Sequence, residues 1–200
     1  METLSAICLG LALATACGMR VFLPLLALSA GVKMGLVSPS ESFAWVGNTP
    51  VVMGLAIAAA VEVLGYFLPW VDHALDVIAT PLAAVAGTLA AATQLVGIEH
   101  VDPMLGWAGS VLGGGGLATL TQGATVLTRA ASTTTTLGFA NPVVAAAETT
   151  GALTLSVAAV VLPIAGVLMV GAAGFLVWRW VKNSRAARAN AARKVPCVAR

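Results

Sequence analysis

The segment Val61–Gly87, VEVLGYFLPWVDHALDVIATPLAAVAG, decides the fold. It joins two apolar runs, yet it holds Glu62, Asp72 and Asp76, three of the eight acidic residues in the chain. Its spacing is E-x6-P-x2-D-x3-D-x4-P-x5-G. Pro69 is expected to stop one helix, and the next to start near Asp72, whose carboxylate can cap free N–H groups. Asp72 and Asp76 then share one helical face at i and i+4. At about 100° per residue that face continues through Thr80, Ala83, Gly87 and Gln94. The segment therefore reads as a helical hairpin with a polar seam that faces protein or water, not lipid.

Working outward, the composition is that of a membrane protein. Hydrophobic residues make up 59% of the 200 positions and charged residues 9%, with a mean hydropathy of +0.96. Such a balance excludes a soluble globular domain. Apolar runs long enough to span a bilayer fall at Leu4–Ala30, Pro50–Leu68, Ala74–Val96, Met104–Arg129 and Leu153–Val181. These runs do not alternate apolar with polar, so a β-barrel is disfavoured. The 21 glycines and many alanines suit close helix crossings. The expected fold is all-α: a polytopic helical membrane protein with five to six spans, some broken or re-entrant. Residues 1–182 form a single transmembrane domain and 183–200 a basic, disordered cytoplasmic tail.

Gly18-Met19-Arg20, followed by Phe22 and Pro24, interrupts the first apolar run. Gly and Pro weaken the helix there, and Arg20 puts a permanent cation in or beside the membrane. Arg20 either snorkels to an interface, pairs with the acidic hairpin, or belongs to a broken helix whose free N–H groups face an anion. Pairing is expected, with Glu62 and Asp76 as leading partners. The preceding Leu4–Ala16 stretch has signal-peptide character, but Glu2 stands where a basic residue is usual, so it is read as retained.

Ser38–Thr49 is expected to be an extramembrane connection with Phe43 and Trp45 at headgroup level. Ile98–Pro103 reads as a solvated turn, His100 included. Gly113–Gly116 has glycines at four successive positions but lacks the Lys and Ser/Thr of a phosphate loop, so it reads as a close crossing or local break. Gly115, Ala118, Gln122, Thr125 and Arg129 form a second polar and small stripe complementary to the first. After Thr133–Thr136, Asn141-Pro142 starts another helix. That segment is expected to divide near Gly151, leaving Asn141–Thr150 as a half-helix carrying Glu148, with a possible kink at Pro163 in the following span. Trp178 and Trp180 read as an interfacial belt.

Arg179, Lys182, Arg185, Arg188, Arg193, Lys194 and Arg200 hold seven of the ten basic residues, which places the tail on the cytoplasmic side of an inner (plasma) membrane. Cys8 and Cys17 lie about 13 Å apart along one helix, too far for a disulfide. Gly18–Gly31 and Gly138–Gly151 are similar Gly-bounded segments, each with one charge and an early Pro, a pattern that inverted repeats leave.

These residues carry a resemblance. GMRVFLPLLALS (Gly18–Ser29), the E-x6-P-x2-D-x3-D hairpin, the Gly-rich stretch ending in Arg129, and Asn141-Pro142 with Glu148 resemble a bacterial integral-membrane family catalogued as a domain of unknown function, number 4126. The likeness runs from about Gly18 to Thr150 and implies a fold without an assigned activity. It also implies a Ser before the late Glu and an Asp after it, where this chain has Ala145 and Thr149. A His and a Lys implied after the glycines are here replaced by Thr121, Gln122 and Thr125.

Arg20, Glu62, Asp72, Asp76, Arg129 and Glu148 are ionisable groups in or beside spans, each costing roughly 2.5–3.5 kcal/mol if left at the bilayer centre. With Thr80, Gln94, Gln122 and Asn141 they form the candidate seam. Two cations and four anions favour a cation or proton path. The expected function is a small-solute or ion transporter or channel, cation- or proton-linked. The alternatives are a non-catalytic scaffold or subunit, and an intramembrane lipid-phosphate enzyme using Asp72, His73 and Asp76. No cofactor, metal or nucleic acid is called for. The expected partners are the bilayer, a small solute or ion, and further copies of the chain in a homo-oligomer.

Overall fold

The structure is a computed structural model that describes residues 2–66, 69–99, 101–172, 174, 175, 179 and 182, with residues 2 and 69–76 described at the backbone only. Among these the chain is helical, without strands. The side chains of Asp72, His73 and Asp76 lie outside the described residues. So do His100, Trp178, Trp180 and the tail from residue 183, Cys197 included.

The first apolar run is two helices, α1 (Glu2–Cys17) and α2 (Phe22–Lys33), separated at Gly18–Val21 where the sequence places Gly and Arg. A 3-10 turn (Glu41–Gly47) leads into α3 (Thr49–Gly65). That turn makes an angle of 63° with α3, so the two are either one broken span or a re-entrant loop. Phe43 is buried in the core and stacks near Trp107 at 5.9 Å, while Trp45 is half exposed. Val46, beside Phe43 in the core, is held to α2 by the Ser29 hydroxyl, which donates to the Val46 carbonyl at 2.5 Å.

α4 (Pro69–Leu95) begins at Pro69 itself, not near Asp72. The physical reason is that Pro lacks an N–H, which the first helical turn leaves unpaired anyway, and its fixed φ suits that position. Gly65, and not the proline, ends α3, with Tyr66 capping the last turn. Ala83, Gly87, Ala90 and Gln94 on α4 are all buried, so the inner face drawn from the sequence is the packed one. Thr80, nearer the start of that stripe, is exposed.

α5 (Pro103–Gly109) passes through a π-helical turn (Ser110–Gly115) into α6 (Gly116–Thr136). Glycine is needed here because the backbones touch. A Cβ on Gly87 would sit 2.7 Å from the Gly114 carbonyl, and one on Gly115 would sit 2.6 Å from the Thr88 hydroxyl. The chain reverses at Leu137 and Gly138, both left-handed (φ 53° and 87°). It then enters α7 (Asn141–Val161).

α7 does not divide at Gly151. It runs unbroken to Val161 and ends at Leu162, before Pro163. A Cβ at Gly151 would meet the Met19 sulfur at 3.4 Å, an ordinary contact, so the helix passes through this glycine without needing it. Pro163 supplies the break, since a proline cannot donate to the preceding turn.

α4 is the hub, with α1, the π-helical turn and α6 against it, while α7 packs across α1 and α2. The core is small-residue rich: Ala12, Ala16, Ala83, Ala90, Ala118 and Ala159 are fully or almost fully buried. Large apolar side chains instead cover the outside, among them Leu64, Val77, Leu112, Leu120 and Leu127. By length and composition, Val77–Leu95 and Asn141–Val161 can each cross a membrane, and the bent pair before and within α3 makes a third.

Candidate functional site

The α1–α2 break frees backbone N–H groups at the start of α2, and no side chain of the helix itself caps them. Glu62, one turn before the end of α3, does so from outside. Its Oε1 accepts from the Val21 N–H at 2.6 Å and its Oε2 from the Phe22 N–H at 3.0 Å. Carboxylate and helix N-terminus attract each other, and both are buried.

Arg20, in the same break, is 1% exposed and points the other way, into α7. Its Nε donates to the Thr149 hydroxyl and one terminal nitrogen to the Ala145 carbonyl, both at 2.9 Å. Its other terminal nitrogen lies 3.5 Å from Glu148 Oε2. That oxygen is shared: the terminal nitrogen of Arg129 on α6 also binds it, and Arg129 Nε donates to Oε1 at 3.3 Å. Both guanidinium carbons lie over the ring of Tyr66, at 3.9 and 4.2 Å from its centre. Cation–π contacts of this kind strengthen as water is removed.

The result is a buried cluster of Arg20, Arg129, Glu148, Glu62 and Tyr66, drawn from the α1–α2 break and from α3, α6 and α7. Two guanidinium groups balance two carboxylates. A balanced, hydrogen-bonded group of this kind is the form in which charge is tolerated in a low-dielectric interior. Arg20 forms its ion pair with Glu148; Glu62 is engaged with the backbone of residues 21 and 22, and the side chain of Asp76 lies outside the description. Pairing and capping, set against each other as readings of the sequence, thus occur together with separate carboxylates.

The remaining seam residues extend the site in two directions. Gln122, one helical face below Arg129, is buried, and Gly18 comes so close to it that a Cβ would lie 3.0 Å from its backbone nitrogen. Gln94 is buried at the far end of α4 and its amide lies 3.4 Å from the Thr93 hydroxyl. Asn141 donates to the Thr133 hydroxyl at 3.1 Å, near the α6–α7 reversal. Its Oδ1 and the Ser132 hydroxyl are buried without a protein partner. Gln94 and Thr80 do not join the charged cluster.

Tyr66 was not among the residues singled out by sequence. Its signal is present, however: it is the single tyrosine of the chain and stands at i+4 from Glu62. Thr149 was noted only as a departure, and its neutral hydroxyl takes the Arg20 bond where the resemblance implies a carboxylate. A cavity of about 260 Å³ abuts the cluster, with Val21, Glu62 and Tyr66 on one wall and Val61, Ile78 and Leu82 toward the outside. Among the described residues no three His, Cys, Asp or Glu side chains converge as a metal site would require.

Residues 7–183 match the model of a family described as Domain of unknown function (DUF4126). Neither a curated protein nor a solved structure matches the chain.

Proposed function

We propose, from the premise that this chain belongs to the family described as Domain of unknown function (DUF4126), that it is an integral membrane protein carrying a small solute or ion, linked to protons, through the seam at Arg20, Glu62, Arg129 and Glu148. One observation supports the reading above all: a single carboxylate oxygen, Glu148 Oε2, is held by two arginines from different helices. Loss of that one carboxylate's charge would weaken its attraction to both cations at once; Arg20 would keep its bonds to Thr149 and Ala145 on α7, so the contact released is the one between α7 and Arg129 on α6. A bistable contact of this type is what a proton-linked carrier needs. The break in α1–α2 puts irregular backbone beside the cluster, as in carriers built on discontinuous helices.

The described cluster is neutral, two guanidinium groups against two carboxylates, so it favours neither a cation nor an anion by net charge. The competing reading is a scaffold in which the same charges only fix helix registry, and the dense small-residue contacts of α4 favour it. Flux separates them. Purified protein in liposomes containing a pH-sensitive dye should dissipate an imposed proton gradient faster than protein-free vesicles when its solute is supplied. A folded protein that leaves the gradient intact across a panel of small ions and organic solutes decides for the scaffold.

A further inference from the structure

We infer that Arg20 and Arg129 form a binding site for a small oxyanion of the carboxylate or phosphate type, and that Glu148 is the tethered competitor occupying it. The inference rests on the carrier reading and names its solute class. The first support is geometry. Arg129 grips both oxygens of Glu148 and Arg20 reaches one of them, which is how a free carboxylate or phosphate is bound by paired guanidinium groups. The second is that the cations are held without Glu148. Arg20 is fixed by Thr149 and Ala145, and both guanidinium groups rest on Tyr66. Withdrawal of Glu148 would leave a formed dication, with Glu62 still committed to the start of α2.

The third support is the polar track leading off the cluster. Ser132 lies one helical turn beyond Arg129, and its hydroxyl, like Asn141 Oδ1, is buried with no protein partner. Buried polar atoms in this state call for water. Water at these two atoms would lie between α6 and α7, apart from the apolar cavity that Glu62 lines. Glu148 is faced by Arg20 from the α1–α2 break and by Arg129 from α6, and both cations rest on Tyr66 at the end of α3. Anything that takes Glu148 off the two arginines therefore favours the anion, and a bound anion keeps Glu148 away.

The test is calorimetric titration of detergent-purified protein with inorganic phosphate, acetate and dioctanoyl phosphatidic acid. Glu148→Gln should bind about tenfold or more tightly than wild type, and adding Arg129→Gln should remove the gain. Response to phosphate or acetate supports a free solute, and response to the phosphatidic acid alone supports a lipid headgroup in the same site. A folded Glu148→Gln that binds none of the three more tightly than wild type overturns the inference. Should that variant fail to fold, wild type decides: a protein that binds none of the three overturns it. Binding without flux would keep this site and discard the carrier.

Discussion

The carboxylate of Glu62 closes the broken helix at Val21: Oε1 takes the Val21 N–H at 2.6 Å, and Oε2 takes that of Phe22. A group on α3 thereby completes α2, and the break becomes a fixed feature of the fold.

Removing that cap should be costly. Glu62→Ala strands two buried N–H groups and should lower stability by about 2–4 kcal/mol, at about 1–2 kcal/mol for each lost partner. Glu62→Gln keeps one acceptor and should fall between Ala and wild type. Thermal unfolding in detergent, followed by tryptophan fluorescence, orders the three proteins. Equal midpoints for Ala and wild type would show that the bonds contribute nothing.

The arginine–glutamate group should behave as a unit. Arg129→Gln leaves Glu148 only half neutralised and should destabilise by roughly 3–5 kcal/mol. Arg129→Gln together with Glu148→Gln should recover part of that loss. A double-mutant cycle on unfolding midpoints measures the coupling. Strict additivity would mean that the two side chains do not interact.

Glycines should divide by contact. Gly87→Ala pushes a Cβ against the Gly114 carbonyl and should destabilise by about 1–3 kcal/mol. Gly116→Ala and Gly123→Ala point a Cβ into open space and should be neutral, or stabilising by up to about 1 kcal/mol through helix propensity. Unfolding midpoints check all three. A tolerant Gly87 would refute the close crossing of α4 with the π-helical turn.

Much of this was legible in the residues because rare types stood out against an apolar background. Gly, Pro and Arg inside one hydrophobic run mark the α1–α2 break. Gln122 and Arg129 recur at helical spacing and prove to share a buried face. Within the run of four glycines, Gly114 and Gly115 mark a close crossing with α4. Other features depend on three-dimensional partners that spacing does not encode. Nothing local tells Arg20 that its carboxylate is Glu148 and not Glu62, since both lie far along the chain. Tyr66 reads as one more apolar residue until two guanidinium groups are placed on its ring. Gly151 and Pro163 both offer breaks in one long segment, and the helix passes through the first and ends just before the second. Pro69 was assigned to the end of α3 because prolines stop helices; at a first turn they start them.

The central claim is that Glu148 couples the solute to protons and is more than a lock between α6 and α7. The most direct measurement is solute-driven proton flux in liposomes at pH 5.5 and pH 7.5, for wild type and for Glu148→Gln, with Gly123→Ala as a control outside the seam. The account predicts pH-dependent flux in wild type and in the control. Glu148→Gln, folded and inserted, should lose proton coupling entirely. Glu148→Gln with the same flux and the same pH dependence as wild type would contradict it.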